Sequence, residues 1–115
     1  AILNFGHTYG HAIEAINNYK NVLHGEAVAM GMRMASKMSM IEGHLNEKTY
    51  KKIINVFDAL NFPKNTSNNY SDLKKFILSD KKVKGGNINL ILLKGIGLSF
   101  KTQKFNYENF KKSFS

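Results

Sequence analysis

Three histidines close to the start of the chain are the side chains best suited to chemistry. They occur in the segments LNFGHTYGHAIE and VLHGEAVAMGM, as His7, His11 and His24. Neutral imidazole is the commonest protein ligand for metals such as zinc, and a catalytic zinc ion usually takes three protein ligands and keeps one position open. Because the chain contains no cysteine, a metal site here would use histidine, carboxylate or water.

A pair of helices is needed to position these rings. If residues 4–19 form a helix, His7 and His11 project from the same face, and Glu14 lies near that face one further turn on. His24 follows a polar break and would begin the next helix. The two helices can then fold back on each other, so that the three imidazole rings converge.

The spacing of the histidines leaves three hypotheses open. At least two of the rings bind a metal, or the rings are partly buried and hydrogen-bonded, or they bind a phosphate or carboxylate directly. The HxxxH spacing does not decide among them, because it lacks the carboxylate that acts as general base in the HExxH motif of metalloproteases.

The composition is typical of one modest soluble domain. The chain has 115 residues, of which 43% are hydrophobic and 22% charged. No apolar run approaches the roughly 18 residues that span a bilayer. The net charge of +9 comes almost wholly from lysine, since Arg33 is the only arginine. The lysines are scattered without interleaved arginine and aromatic residues, so we expect solvated faces and neither a nucleic-acid nor a membrane partner.

The periodicity of the remaining sequence predicts a mainly α fold with a small β-hairpin. Residues 24–42 form a buried helix with a methionine stripe, and His44 just beyond it is predicted to be a surface C-terminal cap. An amphipathic helix follows and ends near Pro63.

The last third of the chain predicts shorter elements. After the polar loop at residues 61–69, Ser71 is expected to cap a short helix that ends at SDKKVKGG. The apolar run at residues 88–93 and the alternating residues 98–101 predict a hairpin. A terminal helix is predicted by the spacing of Tyr107, Phe110 and Phe114.

The two histidine segments resemble the metal-site region of the 3-dehydroquinate synthase family. The resemblance continues along the chain: NFP is similar to the family's Gly-Leu-Pro loop, SDKKVKGG to its Asp-Lys-Lys segment, and INLILLKGIG to its next strand and turn. It covers essentially all 115 residues. It implies that residues 1–115 are the helical C-terminal domain, without the N-terminal α/β nucleotide-binding domain.

The resemblance implies an enzyme of the shikimate pathway of aromatic amino acid biosynthesis. Members of the family convert 3-deoxy-D-arabino-heptulosonate 7-phosphate to 3-dehydroquinate and phosphate, which makes them phosphate-eliminating lyases. They use bound NAD and a divalent metal, zinc or cobalt, and are generally homodimers. A cytoplasmic location suits the absence of cysteine and of a secretory segment in this chain.

The same resemblance assigns roles to particular residues. His7 and His24 correspond to metal ligands. His11 corresponds to a catalytic residue near the substrate phosphate, where an imidazole can donate a hydrogen bond and assist proton transfer. Asn4 and Lys81 correspond to substrate contacts, the lysine as a partner of anionic groups.

Two glutamates of the same segments receive no ligand role. For Glu14 and Glu26 we expect a place on the helix surface or a hydrogen bond to a ligand. Without the resemblance, Asn4 would be interpreted as a helix cap, and Lys81 as one more solvated lysine.

The chain begins with Ala1 rather than Met, and we expect it to be a fragment. The resemblance places the third metal ligand, a glutamate, and the glycine-rich NAD-binding segment in a region before Ala1. No dinucleotide-binding fingerprint occurs in these 115 residues. We therefore expect the isolated chain to be inactive and to bind zinc no more tightly than micromolar.

Three other classes of protein remain open on the sequence alone. A deoxyinosose or valiolone synthase, which is another NAD- and metal-dependent sugar phosphate cyclase, shares the histidine motifs. Glycerol and iron-dependent alcohol dehydrogenases are more distant in fold. A basic binding module would make the histidines irrelevant, and its binding to an oligonucleotide would depend strongly on salt.

Overall fold

The fold consists of helices around one long central helix, with a β-hairpin. The computed structural model describes residues 6–17, 24–64, 69–83 and 85–114. In chain order the elements are α1 (His7–Ile16), α2 (His24–Ile41), α3 (Glu47–Ala59), α4 (Tyr70–Val83), β1 (Leu90–Gly95), β2 (Leu98–Thr102) and α5 (Tyr107–Lys112). Helix α2 is central, because it packs against α1, α3, α5 and β1. The mainly α architecture with one hairpin confirms the sequence prediction, and none of the described helices is long and apolar enough to cross a membrane.

Glycines set the close approach of α1 and α2, the two helices that carry the histidines. Gly6 has a left-handed backbone with φ 78°, and its carbonyl oxygen accepts a hydrogen bond from the Gly10 nitrogen at 2.9 Å. A Cβ atom at Gly31 of α2 would lie 2.2 Å from that same Gly6 oxygen. Only a residue without a side chain allows the backbones to approach this closely.

Buried hydroxyl groups connect α1 and α2 to the C-terminal half. The Ser39 hydroxyl on α2 donates to the Ala35 carbonyl at 2.7 Å and accepts from the Leu93 nitrogen of β1 at 2.9 Å. The hydroxyls of Tyr9 on α1 and Ser113 after α5 are 2.7 Å apart. These bonds fix the hairpin and the chain end against the helix pair.

Tyr9 makes the stability of the fold sensitive to alkaline pH. Burial raises the pKa of its phenol well above the ordinary value of 10. A raised pKa contributes stability that is present below pH ~10, the pKa in the unfolded chain, and is lost as the pH rises further. We expect the unfolding free energy of the wild type to fall above pH ~10 more steeply than that of Tyr9→Phe, by at most about 1.4 kcal/mol per pH unit. Urea denaturation over a pH series measures this difference, and equal slopes would contradict it.

Helix α4 differs from the short, Ser71-capped helix that the sequence predicted. Its cap is Asn69, whose side chain accepts from the Asp72 nitrogen at 3.1 Å, while the Asp72 carboxylate accepts from the Asn69 nitrogen at 3.0 Å. Three residues after Ser71 stands Lys74, which cannot reciprocate as Asp72 does. The helix also continues through SDKKV, since Lys81 and Lys82 lie in its last turn, where cations are favourable.

The other predicted elements are found with adjusted bounds. The first helix begins at His7 and ends at Ile16, so it is shorter than the predicted 4–19, of which residues 4, 5, 18 and 19 lie outside the described parts. The hairpin is confirmed, with a bulge between Leu93 and Gly95. The terminal helix is also confirmed, although Tyr107 is 39% exposed.

His44 is confirmed as a surface residue of the C-terminal cap of α2, and it caps through its backbone. Gly43 ends the helix in a left-handed conformation with φ 85°, and the backbone nitrogen of His44 donates to the Ser39 carbonyl at 2.9 Å. The imidazole of His44 packs instead edge-on against Phe100, with 4.7 Å between ring centroids.

Candidate metal and substrate site

The fold brings the three N-terminal histidines together. His7 and His11, one turn apart on α1, have ring centroids 5.4 Å apart, and the rings of His7 and His24 are separated by 6.5 Å. His7 is partly buried at the start of α1, whereas His11 and His24 are exposed. The helix pair that the spacing predicted therefore does make the rings converge, with both other rings close to His7.

A groove of about 390 Å³ opens beside His7 and His24. Its walls come from the first half of α2, from His7, and from Phe62 and Pro63 after α3. His11 belongs to the described part of the chain but is not among the residues that line this groove. Of the three histidines, His7 and His24 line the groove and His11 does not.

A buried carboxylate holds the ring of His24. The Nδ1 atom of His24 lies 3.0 Å from Oε1 of Glu14 on α1. The Glu14 side chain is 11% exposed and that of His24 is 66% exposed, so the contact joins a largely buried carboxylate to an exposed imidazole. The other ring nitrogen, Nε2, remains for a ligand in the groove.

Arg33 is a residue of the site region for which the sequence predicted no role. It is 7% exposed, and its guanidinium donates to the carbonyls of Phe62 and Pro63 at 2.8 Å each. It also pairs with the Asp58 carboxylate at 2.8 Å. Arg33 therefore fastens one wall of the groove to α2. The only arginine of the chain, placed within a stripe of buried residues, was the clue to such a role.

The residues present fit part of a metal site. At 6.5 Å between ring centroids, His7 and His24 are close enough for one ion to bind a nitrogen of each ring, at about 2.0–2.1 Å, once the side chains adjust. Among the described residues, however, no group of three or more His, Cys, Asp or Glu side chains could hold a metal. The residues outside those ranges contain none of these four types. The donor set is thus two imidazoles, and a three-histidine site is not formed.

The remaining predicted substrate contacts are only partly located. Asn4 lies outside the described residues. Lys81 lies partly buried in the last turn of α4, which packs against α1. Within the described parts of the chain, no hydrogen bond or ion pair joins Lys81 to His11 or His24.

The arrangement of elements defines the class of protein. The fold matches a solved structure of 2-epi-5-epi-valiolone synthase from Streptomyces hygroscopicus, which has NAD⁺ and Zn²⁺ bound, with a TM-score of 0.82 and 25% identity over 96% of this chain and 31% of that one. A solved 2-deoxy-scyllo-inosose synthase, complexed with carbaglucose-6-phosphate, NAD⁺ and Co²⁺, matches in fold with a TM-score of 0.77 and 24% identity, covering 98% of this chain and 32% of that chain. The fold is that of the C-terminal part of sugar phosphate cyclases.

Sequence comparison identifies the family within this class. Residues 1–83 match the family profile described as "3-dehydroquinate synthase C-terminal". The chain is 44% identical over 107 residues to the 3-dehydroquinate synthase of Vesicomyosocius okutanii, covering 91% of this chain and 30% of that protein. It is 46% identical over 96 residues to that of Dictyoglomus thermophilum, covering 84% and 27%. The chain belongs to the 3-dehydroquinate synthase family, and it spans less than a third of the length of these relatives.

Proposed function

We propose that residues 1–115 are the C-terminal metal- and substrate-binding domain of an enzyme that converts 3-deoxy-D-arabino-heptulosonate 7-phosphate to 3-dehydroquinate and phosphate. The observation that carries the proposal is the pairing of His7 and His24 beside one groove in a chain of this family. The enzyme would act in the shikimate pathway in the cytoplasm as a homodimer. The isolated chain would be inactive.

Zinc or cobalt, together with NAD, would supply the difficult chemistry. When bound, the metal would supply Lewis acidity toward substrate oxygens, and NAD would supply hydride transfer. The 25%-identical valiolone synthase with NAD⁺ and Zn²⁺ bound supports this pair of cofactors. The third metal ligand and the NAD contacts would come from outside this chain, since among the described residues no group of three His, Cys, Asp or Glu side chains is placed to hold a metal.

The chain's own residues would bind and orient the substrate. Imidazole nitrogens of His7 and His24 would hold the metal beside the groove, and the Phe62–Pro63 wall, fastened by Arg33, would exclude water from one side. His11 lies outside the groove walls but 5.4 Å from His7 by ring centroids. There it would donate a hydrogen bond to the substrate phosphate and move a proton, while the ammonium of Lys81 and the amide of Asn4 would contact the substrate's polar groups.

Changing His11 separates this role from metal binding. In the full-length enzyme, His11→Ala should lower kcat for the heptulosonate substrate by about 10²–10⁴-fold, the usual contribution of general acid–base catalysis. Zinc affinity should stay within a few-fold of the wild type. The control is His44→Ala, which removes an exposed imidazole that packs on Phe100 and should leave kcat unchanged. A loss of zinc affinity in His11→Ala would instead make His11 a ligand.

Another sugar phosphate cyclase activity is the second candidate, favoured by the TM-score of 0.82 to the valiolone synthase. The identity of 44% to a 3-dehydroquinate synthase against 25% to the valiolone synthase supports the first candidate. Assay of the full-length enzyme with the heptulosonate substrate decides: formation of 3-dehydroquinate supports the proposal, and absence of turnover in a metal- and NAD-loaded enzyme supports the alternative.

A further inference from the structure

We infer that Glu14 is a positioning residue, which holds His24 in the tautomer and orientation that present Nε2 to a metal. The inference rests on the proposed function, because it requires His24 to be a ligand. It adds a residue of α1 to a site whose ligands on α1 and α2 were anticipated from the motifs.

The geometry determines which nitrogen is available. A carboxylate only accepts hydrogen bonds, so the hydrogen in the 3.0 Å contact between Glu14 Oε1 and His24 Nδ1 belongs to Nδ1. In a neutral imidazole the lone pair is then on Nε2. His24 lines the groove and its side chain is 66% exposed, so this nitrogen is accessible to an ion.

The buried surroundings of Glu14 restrict the position of its carboxylate. Glu14 is 8% exposed, and its neighbours on α1, Ala12 and Ile13, are 3% and 0% exposed. All three residues are buried where α1 packs against the rest of the fold. The glycine contacts of Gly10 with Ala27 of α2 fix that interface. An exposed imidazole at the start of α2 is therefore held by a buried carboxylate.

The free energy of the Glu14–His24 contact is small, so the contact serves to orient the His24 ring rather than to stabilise the fold. One partner is 66% exposed, and ion pairs with an exposed partner contribute little to stability. Burying a carboxylate, by contrast, costs free energy unless the group is paired and hydrogen-bonded. Carboxylates behind metal-bound histidines fix the ring and raise its basicity, and their removal typically weakens metal binding by about 10–100-fold.

The first test needs no substitution. In the metal-free full-length protein with ¹⁵N-labelled histidine, at a pH where histidine is neutral, NMR should show His24 with the proton on Nδ1 and a bare Nε2. His44, which lies outside the groove, serves as the reference for an imidazole without a carboxylate partner among the described residues. A proton on Nε2 of His24 would overturn the inference.

The second test measures zinc affinity by calorimetry in the full-length protein. Glu14→Ala should weaken zinc binding by about 10–100-fold, and Glu14→Gln, which keeps an acceptor oxygen without the charge, should recover part of the loss. Glu47→Ala, which removes an exposed carboxylate on α3, is the control and should bind zinc like the wild type. If Glu14→Ala does not fold, the comparison of Glu14→Gln with Glu47→Ala decides, with weaker binding expected in Glu14→Gln alone.

A third variant separates the inference from the proposed function. If His24→Ala loses zinc and both Glu14 variants bind it like the wild type, His24 is a ligand and the inference is wrong. If His24→Ala itself binds zinc like the wild type, the proposed function fails and the inference fails with it. Loss of zinc in His24→Ala, with smaller graded losses in Glu14→Ala and Glu14→Gln, supports both.

Discussion

Replacing Gly31 by alanine is expected to destabilise the protein by about 3 kcal/mol, near the upper end of the cost of overpacking. The added Cβ would lie 2.2 Å from the Gly6 oxygen and 2.9 Å from the Gly10 nitrogen. Both atoms are backbone, so no side chain can rotate away, and α1 must move from α2. Urea denaturation, with the same dependence of free energy on urea concentration assumed for both proteins, measures the loss of unfolding free energy.

The displacement should also reach the site. Gly6 precedes His7 directly, and its own Cβ position is 2.5 Å from the Met32 nitrogen. A shift of α1 would therefore move His7 and Glu14 relative to His24. We expect Gly31→Ala to weaken zinc binding by the full-length protein in addition to lowering its stability.

Gly25→Ala is the matched control for stability. Gly25 lies on the same helix, and a Cβ atom there would meet nothing within 4 Å. Alanine favours a helical backbone over glycine by roughly 0.5–1 kcal/mol, so this variant should be as stable as the wild type or slightly more stable. Equal destabilisation by both substitutions would show that the α1–α2 contact is not the cause.

The second large effect is expected for His7→Ala and His24→Ala in the full-length enzyme. Each should lower turnover of the heptulosonate substrate at limiting zinc by about 10³-fold or more, since Lewis-acid stabilisation is worth several kcal/mol and about 1.4 kcal/mol corresponds to a factor of ten. Steady-state kinetics over a zinc series measures the effect. Excess zinc should restore part of the activity in these variants and none in His11→Ala.

The convergence of the histidines could be predicted because it follows from helical periodicity. His7 and His11 are four residues apart, and a break before His24 allows α2 to fold back on α1. The periodicity of the remaining residues was also sufficient to predict the mainly α fold with one hairpin. Both depend on local patterns or on whole motifs, which a single sequence contains.

The contacts between elements could not be predicted in this way. The partner of Glu14 depends on the distance between α1 and α2, which the contact between Gly6 and Gly31 sets. Arg33 donates to the carbonyl oxygens of Phe62 and Pro63. Every residue has a backbone carbonyl, so the residue types do not indicate which carbonyls accept these bonds. Periodicity specifies which face of a helix is buried but not what covers that face.

The prediction that Ser71 caps α4 was wrong for a different reason, since the sequence does indicate the correct cap, Asn69. Asn69 and Ser71 are both good capping residues, and only Asn69 has an acidic residue three positions later. The reciprocal bonds between Asn69 and Asp72 confirm that rule. Applying it would have begun the helix at the observed residue.

The central claim is that His7 and His24 bind one divalent metal beside the groove. Calorimetric zinc titration of the full-length protein tests it most directly, with wild type, His7→Ala, His24→Ala and His44→Ala compared at one pH. We predict one tight site in the wild type and in His44→Ala, and affinities at least about 100-fold weaker in His7→Ala and His24→Ala, equivalent to nearly 3 kcal/mol. Zinc binding in His7→Ala and His24→Ala that equals the wild type would contradict the claim.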